Sequence, residues 1–405
     1  MLAGVAVAAT EIKTSTNRSE MKRQPSIKST SSVIDPSNCA VGVALLASVM
    51  ALPMFGVAHA ETAPERGAIS LKYLDYLDSQ PGESRIKVEA TAFNVMAPIS
   101  SEWSFGATVT SDVISGASPA YHTSAITPMH DRRRAVDAEV VRYLPNGTLT
   151  FSANVSSESD YVSRGLSLKA TRSNESKNTT WSAGLGYSSD VINPGNALVV
   201  NETKQVATLL LGVTQVLTPK DIAQFNVGFT NGRGYFDDPY KVMENRPRYK
   251  DSQTLLGRWN HYFDSTGGTT RLEYRYYSDT WQIKAHTIGV EYVQPFAAGW
   301  VVTPLLRLYS QSAASCYVDA DATGSPFPPN PAPNATYYSE DQRLSAYGAH
   351  TLGVKVSKKL DADWTIDFKV ENYGQRSNWR FDGNGSPNLA PFDFRSFQIG
   401  ISRQF

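Results

Sequence analysis

The sequence has little of what marks a disulfide-stapled, helical-membrane or nucleic-acid-binding protein. It has two cysteines among 405 residues, and Cys39 lies in a segment that we expect to be removed, so Cys316 is left alone and an internal disulfide framework is excluded. After residue 60, no apolar run approaches the roughly 20 residues of a spanning helix. The 38 basic and 38 acidic residues balance, which argues against a nucleic-acid partner because such a partner selects a basic surface. Helical periodicity of any length is also missing.

Residues 1–60 read as an N-terminal extension followed by a signal peptide. Basic Lys22 and Arg23 precede an apolar run from Ala40 to Val57, and Ala58-His59-Ala60 forms a small-x-small cleavage site. The run is short for a membrane span and Pro53 interrupts it. We therefore predict cleavage after Ala60, attribute residues 1–20 to an upstream start codon, and expect a single domain over residues 61–405.

What the chain does have is strict alternation of apolar and polar residues. In WSAGLGYSS, Trp181, Ala183, Leu185 and Tyr187 share one face while serines and glycines share the other. The same period of two recurs in sixteen segments from residue 68 to residue 405, including 133–144 and 342–359. Short connections rich in turn residues alternate with long ones, namely 116–132, 191–203, 233–250, 313–341 and 378–390.

An even number of strands with short turns at one end and long loops at the other is typical of a transmembrane, antiparallel, up-and-down β-barrel of the bacterial outer membrane. In hydrocarbon a sheet satisfies its backbone groups only by closing on itself, and the apolar face must then be outside. A soluble β-sandwich would bury that face instead. Consecutive charges along one strand face and aromatic residues near strand ends, such as Trp103 and Trp364, favour the barrel. The predicted lumen-facing charges are Arg85, Lys87, Glu89, Arg271, Glu273, Arg275, Asp367, Lys369 and Glu371.

The last strand carries a predicted assembly signal. Phe397, Ile399, Ile401 and Phe405 alternate with polar residues up to the final position. This ending resembles the signal that the barrel-assembly machinery reads by pairing with a strand, although Arg403 stands where an aromatic residue is more usual.

The stretches SGASPAYHT, DRRRAVDAEVVRYL, SSESDYVSRGLSLKATRS and GYSSDVINP, within residues 115–194, resemble the bacterial domain-of-unknown-function family 3570. The resemblance implies an outer-membrane barrel without an established activity. Members are often encoded near a small lipoprotein and a flavin transferase, so it also implies a possible lipoprotein or redox partner in the envelope.

Two groups of loop residues are candidates for binding. Gly116, Pro119 and His122 read as turn residues or as ligand contacts. Arg132, Arg133 and Arg134 either bind phosphates of lipopolysaccharide, because guanidinium matches phosphate bidentately, or pair with acidic neighbours at the rim.

Two further loops have an ambiguous reading. Asp237, Asp238 and Glu244 could hold a hard cation, but without EF-hand spacing a solvated acidic loop is favoured. The proline-rich stretch 325–335 could fold into the lumen or project outward.

Catalytic signals are weak. No histidine falls in a nucleophile elbow or a metal-ligand spacing, and Ser345 with His350 is the best pair available. We expect no enzyme, no cofactor and no metal. The sequence favours a porin-like passive channel for small polar solutes. The alternatives are a closed barrel that is a scaffold for a periplasmic or redox partner and, less favoured, a lipid-modifying enzyme.

Overall fold

The computed structural model describes residues 62–81, 83–117, 128–239, 241, 243–319 and 331–405. Residues 1–61 lie outside this part, so the signal peptide and the domain boundary remain predictions. The strands are β1 (Ala68–Gln80), β2 (Glu83–Ser100), β3 (Trp103–Ala117), β4 (Pro128–Leu144), β5 (Gly147–Ser157), β6 (Tyr161–Ser173), β7 (Thr179–Ile192), β8 (Glu202–Thr218), β9 (Asp221–Gly234), β10 (Glu244–Asn245), β11 (Tyr249–Phe263), β12 (Gly268–Asp279), β13 (Lys284–Pro295), β14 (Trp300–Gln311), β15 (Tyr338–Ser339), β16 (Tyr347–Lys359), β17 (Trp364–Arg376) and β18 (Phe392–Gln404).

Sixteen of these strands form one closed barrel. Each pairs antiparallel with its neighbours in chain order, and β18 closes the ring by pairing with β1 along almost its whole length. The two-residue strands β10 and β15 are not part of the barrel wall and pair with each other as a separate small sheet. Closure gives every wall strand two partners, which removes the unpaired edges that an open sheet exposes. The predicted fold and strand number are therefore confirmed.

The two ends of the barrel differ in their connections. Short turns, such as Pro145-Asn146 between β4 and β5, lie at the same end as Gly67 and Phe405, and we call this the short-turn end. Asn146 there has a positive φ of 63°, which asparagine tolerates in tight turns. The opposite, long-loop end carries the extended connections. Among described residues, no helix is long and apolar enough to cross a membrane.

Burial identifies which face of each strand is inside. The β17–β18 loop lies over Ser310, Gly348 and His350 on the outer face, and away from that loop a nearly inaccessible wall residue points inward. Leu74 on β1 is 2% exposed, and its register partners Ala90 and Gln398 are also buried. Leu71, on the opposite face of β1, is 48% exposed, and its register partner on β2 is Phe93. The outer face is therefore apolar over most of its height, as predicted.

Tryptophans ring the outer face at the short-turn end. Three of them lie under a cation from the neighbouring strand: Arg142 on Trp103, Lys358 on Trp300 and Arg403 on Trp364, with 5.0–5.4 Å between the cation and the ring centroid. Trp181 and Trp259 complete the ring. Arg403 thus belongs to an aromatic girdle on the outer face at this end, of the kind that outer-membrane barrels carry.

The strand limits differ most from prediction at two loop junctions. β4 begins at Pro128 and not at residue 133, and β16 begins at Tyr347 and not at residue 342. Residues Gln342–Leu344 form a 3₁₀ helix, because the Asp341 side chain accepts the backbone N–H of Arg343 and caps it.

Candidate functional site

Loop residues fill part of the lumen at the long-loop end. We define the plug as the described residues 312–319 and 331–346 of the β14–β16 connection. Its Cys316 and Leu344 belong to a buried apolar cluster with Trp281 from the β12–β13 turn and Leu389 from the β17–β18 loop. The cluster packs against inward-facing wall residues: Leu74, Tyr76, Ala90, Ala92, Tyr277, Ala285, Tyr309, Tyr347, Ala349, Tyr373 and Phe394. The cluster therefore includes residues of eight consecutive strands, from β12 round to β2.

Hydrogen bonds fix the plug to the wall. Gln311, at the end of β14, donates from Nε2 to the carbonyls of Arg343 and Ser345, at 2.8 and 2.7 Å. The Tyr309 hydroxyl in turn donates to the Gln311 Oε1. Because these groups are buried, each bond satisfies polar atoms that would be costly to leave unpaired.

A buried ionic network joins the plug to the β9–β11 loop. Arg246 donates from Nη2 to Asp341 Oδ2 at 2.7 Å and pairs through Nε with Glu244. The Nε–H of Arg343 donates to both carboxylate oxygens of Asp341 at 2.8 Å, and Arg343 Nη2 lies 3.6 Å from Asp238 Oδ2. Short strand β10 pairs with β15 beside these side chains. The network therefore holds two loops together across the mouth of the barrel.

Burial shifts proton affinities in this network in opposite directions. Desolvation raises the pKa of Glu244 to about 7, and the attraction of Arg246 only partly offsets it. Asp341 is also desolvated, but Arg343 and Arg246 outweigh that effect and hold its pKa well below the usual range. Glu244 thus changes charge near neutral pH.

Below the plug, the wall carries the predicted charges of β12 and β17. Asp367, Lys369 and Glu371 alternate with exposed Ile366 and Phe368, so they face inward. Register places Arg275 beside Thr287, which is buried, so Arg271, Glu273 and Arg275 share the inner face. These six residues therefore have the predicted orientation.

The inner charges pair within the lumen. Arg258 contacts Glu273 at 2.6 Å, Lys369 contacts Glu371 at 2.9 Å, Lys355 lies 3.7 Å from Asp367, and Arg271 lies 3.3 Å from Glu291. Four inner arginines occur on β11, β12 and β14, namely Arg258, Arg271, Arg275 and Arg307. β4, on the opposite side of the ring, contributes inward Asp137 and Glu139. A transverse electrostatic field follows from this arrangement.

The prediction for β2 was wrong at two residues. Lys87 and Glu89 lie on the outer face, where Lys87 Nζ contacts Glu89 at 2.9 Å and Asp75 at 3.3 Å. The inner face of β2 carries Ile86, Val88 and Ala90, because the lumen at that height is packed with apolar residues. The Arg85 side chain lies outside the described part.

The three adjacent arginines divide between the two faces. Arg133 points inward, and its Nε–H is shared by the two carboxylate oxygens of Asp112, at 2.9 and 3.1 Å. Arg132 and Arg134 are exposed on the outer face. Arg133 therefore pairs with an acidic neighbour, one of the two predicted roles. Arg132 and Arg134 point away from the lumen and can bind molecules outside the barrel.

Acidic groups surround Arg133. Asp131, Glu158 and Asp160 are buried with their ligand atoms within 4.8 Å of one another. Burial raises the pKa of Glu158, in the β5–β6 loop, well above its usual value, although Arg133 opposes the shift. Arg133 supplies counter-charge to this group, so we interpret it as part of the ion pairing of the wall.

The remaining loop candidates have different outcomes. Pro119 and His122 lie outside the described residues. Gly116 is at the end of β3, where its backbone pairs with β2 and β4. The solvated interpretation of Asp238 and Glu244 was wrong, because the plug buries both and arginines pair with them.

Ser345 and His350, the weak candidate for a nucleophile and its base, are not close to each other. Ser345 is inaccessible inside the barrel and donates its hydroxyl to the carbonyl of Gln342 at 2.6 Å. His350 lies on the outer face of β16 against Trp379, with 4.8 Å between the ring centroids. The wall separates the two side chains.

Sequence reasoning missed the plug network. Arg246 and Asp341 are 95 residues apart, and loop charges of this kind normally indicate solvated segments. One usable signal was the group of charged residues Glu340, Asp341 and Arg343 directly before the apolar Leu344.

Comparison with known proteins identifies the family. The model of the family described as "Protein of unknown function (DUF3570)" matches residues 120–203 and 196–396. The chain belongs to this family. None of the curated proteins resembles it in sequence.

Solved structures share the architecture of this DUF3570 protein. One is titled "Bacterial polysaccharide outer membrane secretin", at 8% identity and a TM-score of 0.50, with 84% of this chain and 98% of that one covered. CdiB from Acinetobacter baumannii is 10% identical with a TM-score of 0.46, and the match covers 82% of this chain but only 60% of CdiB. OccD3 from Pseudomonas aeruginosa is 10% identical with a TM-score of 0.43, over 89% and 97% of the two chains. At these identities the likeness concerns the outer-membrane barrel fold alone.

Proposed function

We propose that this barrel resides in the bacterial outer membrane, with the long-loop end outside the cell, and is a gated channel for small polar solutes. The observation that carries the proposal is the combination of an ion-paired lumen with a plug packed above it. Sixteen strands enclose enough space for an aqueous channel. The plug narrows that space, so conduction requires the plug to leave the inner wall.

The charged lumen supports selection of dipolar solutes. Arginines on β11, β12 and β14 face Asp137 and Glu139 across the ring. A solute with separated charges aligns in such a field, whereas an apolar solute gains nothing from it.

Solute entry into proteoliposomes tests this proposal. Gln311 and Tyr347 are register partners on adjacent strands, so a tight Asn-Gly turn can replace residues 312–346. We expect the wild type to swell slowly in an amino-acid solution and the plug-replaced variant at least tenfold faster. Replacing residues 194–200, a loop outside the plug, by Gly-Ser is the matched control and leaves the rate unchanged.

The plug also supports a second function, that of a closed scaffold for a periplasmic or lipoprotein partner. Arg271 and Glu291 face inward near the short-turn end and are 41% and 42% exposed, so that end of the lumen is accessible. If neither the wild type nor the plug-replaced variant admits solute, while a lipoprotein co-purifies with both, the scaffold replaces the channel.

A further inference from the structure

Three arginines form an exposed patch on the outer wall towards the long-loop end. Arg132 and Arg134 project from β4, and Arg164 projects from β6. Register pairs Arg134 with Ser157 and places Val155, one outer-face position lower on β5, beside Arg164. Strand spacing then separates the Cα atoms of Arg134 and Arg164 by about 12 Å. Two extended guanidinium groups can converge across that distance.

The patch differs from three other outward cations at this end, which have carboxylate partners. Lys87 pairs with Asp75, Arg233 with Asp251 and Arg376 with Asp393. Within the described part of the chain, no carboxylate pairs with Arg132, Arg134 or Arg164. Their positive charge is therefore available to an external anion.

Hydroxyl groups flank the arginines. Ser111 on β3 and Ser157 on β5 are the two register partners of Arg134, and both are exposed on the outer face. Serine hydroxyls donate to phosphate oxygens, which adds directional bonds to those of the guanidinium groups.

An apolar surface begins directly below the patch. Val109, Val136, Val155 and Leu166 continue the same outer faces and are 41–55% exposed. Arg134 lies eight residues from Arg142, which belongs to the tryptophan girdle. That run is about 27 Å along the strand and about 20 Å in height at the usual barrel tilt, close to the ~25 Å apolar band of such barrels. The patch thus lies at the outer boundary of the hydrocarbon.

We propose that Arg132, Arg134 and Arg164, with Ser111 and Ser157, bind the phosphate groups of a phosphorylated, multiply acylated glycolipid of the outer leaflet. Its acyl chains lie against the valine and leucine surface below. Guanidinium pairs bidentately with phosphate, and partial exclusion of water at the membrane boundary strengthens that pair. This inference rests on the proposed outer-membrane location but not on the channel activity.

Binding of defined lipids to the purified, folded barrel tests the assignment. The probe is bis-phosphorylated lipid A in mixed micelles, compared with its dephosphorylated form. The test variant is Arg132→Gln/Arg134→Gln/Arg164→Gln. The control, Lys87→Gln/Arg233→Gln/Arg376→Gln, removes the same charge from cations that already have carboxylate partners.

We expect the test variant to bind bis-phosphorylated lipid A at least tenfold more weakly than the wild type, and the control to stay within twofold. The dephosphorylated lipid binds weakly to all three. Equal weakening in both variants, or wild-type affinity in the test variant, overturns the assignment. If the triple variant does not fold, the single variant Arg164→Gln is tested instead. A folded Arg164→Gln variant that loses less than threefold in affinity for bis-phosphorylated lipid A also overturns the assignment. A protein that never conducts but binds this lipid refutes only the channel proposal.

Discussion

The Nε–H of Arg133 is shared by both carboxylate oxygens of Asp112, one strand away inside the barrel. Both side chains are almost inaccessible, at 4% and 6% exposure. The sequence neighbours Arg132 and Arg134 are on the opposite side of the same wall. The three consecutive arginines therefore place side chains on both the lumenal and the outer face of the wall.

This division predicts unequal effects on stability. Arg133→Met leaves Asp112 and the nearby acidic groups without their counter-charge, so we expect it to lower the free energy of unfolding by about 3–5 kcal/mol. Arg132→Met and Arg134→Met, at exposed positions, should change it by less than about 0.5 kcal/mol. Urea unfolding in lipid vesicles measures all three. Similar values for the three variants would contradict the orientation of Arg133.

The plug should respond to pH through Glu244. Its pKa in the folded protein is about 7, above the ordinary value, so the folded state binds more protons than the unfolded state between about pH 4.5 and 7. By linkage, the contribution of Glu244 to stability is full below that window and is lost as the pH rises through 7.

We therefore expect plug residues to exchange amide hydrogens faster at pH 8 than at pH 6, after correction for intrinsic exchange. Glu244→Gln should remove the difference. Glu158→Gln, which removes another buried carboxyl of raised pKa in the β5–β6 loop outside the plug network, should leave it in place. If Glu244→Gln retains the full pH dependence, another group of the network is responsible.

A glycine on β16 allows a loop to pack closely on the wall. A Cβ at Gly348 would lie 1.9 Å from the carbonyl oxygen of Trp379, whereas one at Gly257 would meet nothing within 4 Å. Gly348→Ala should displace the Ser377–Trp379 turn and cost about 1–3 kcal/mol. Gly257→Ala should be neutral. Protease cleavage in the β17–β18 connection measures the displacement, and equal cleavage in both variants would refute it.

Phe405 closes the ring at the short-turn end. Its backbone N–H and C=O both bond to Gly67 at 3.0 Å, while its side chain is 54% exposed. Deleting Phe405 removes few buried contacts, so refolded protein should lose little stability. If the residue is part of an assembly signal, as we propose, assembly in cells should fall much more. Equal losses in the two assays would count against a signal.

The fold was predictable because a closed wall demands a period of two along every strand. β17 illustrates this, with Ile366 and Phe368 outside and Asp367 and Lys369 inside. The terminal strand is similar, since Phe397, Ile399 and Ile401 all face outward.

β2 shows where the same rule fails. Alternation tells two faces apart, but it does not say which one is inside. Ile86 and Val88 face the lumen because the plug makes it apolar there, and Lys87 and Glu89 face outward near the rim, where they pair with each other and with Asp75. The plug itself depends on contacts between Arg246 and Asp341 that no local pattern encodes.

Single-channel current in a planar bilayer tests the gated-channel account most directly. The wild-type barrel should give rare, brief openings, and the variant in which a tight turn replaces residues 312–346 should give a large and steady current. A wild-type current as large and steady as that of the variant would show that the plug does not close the lumen.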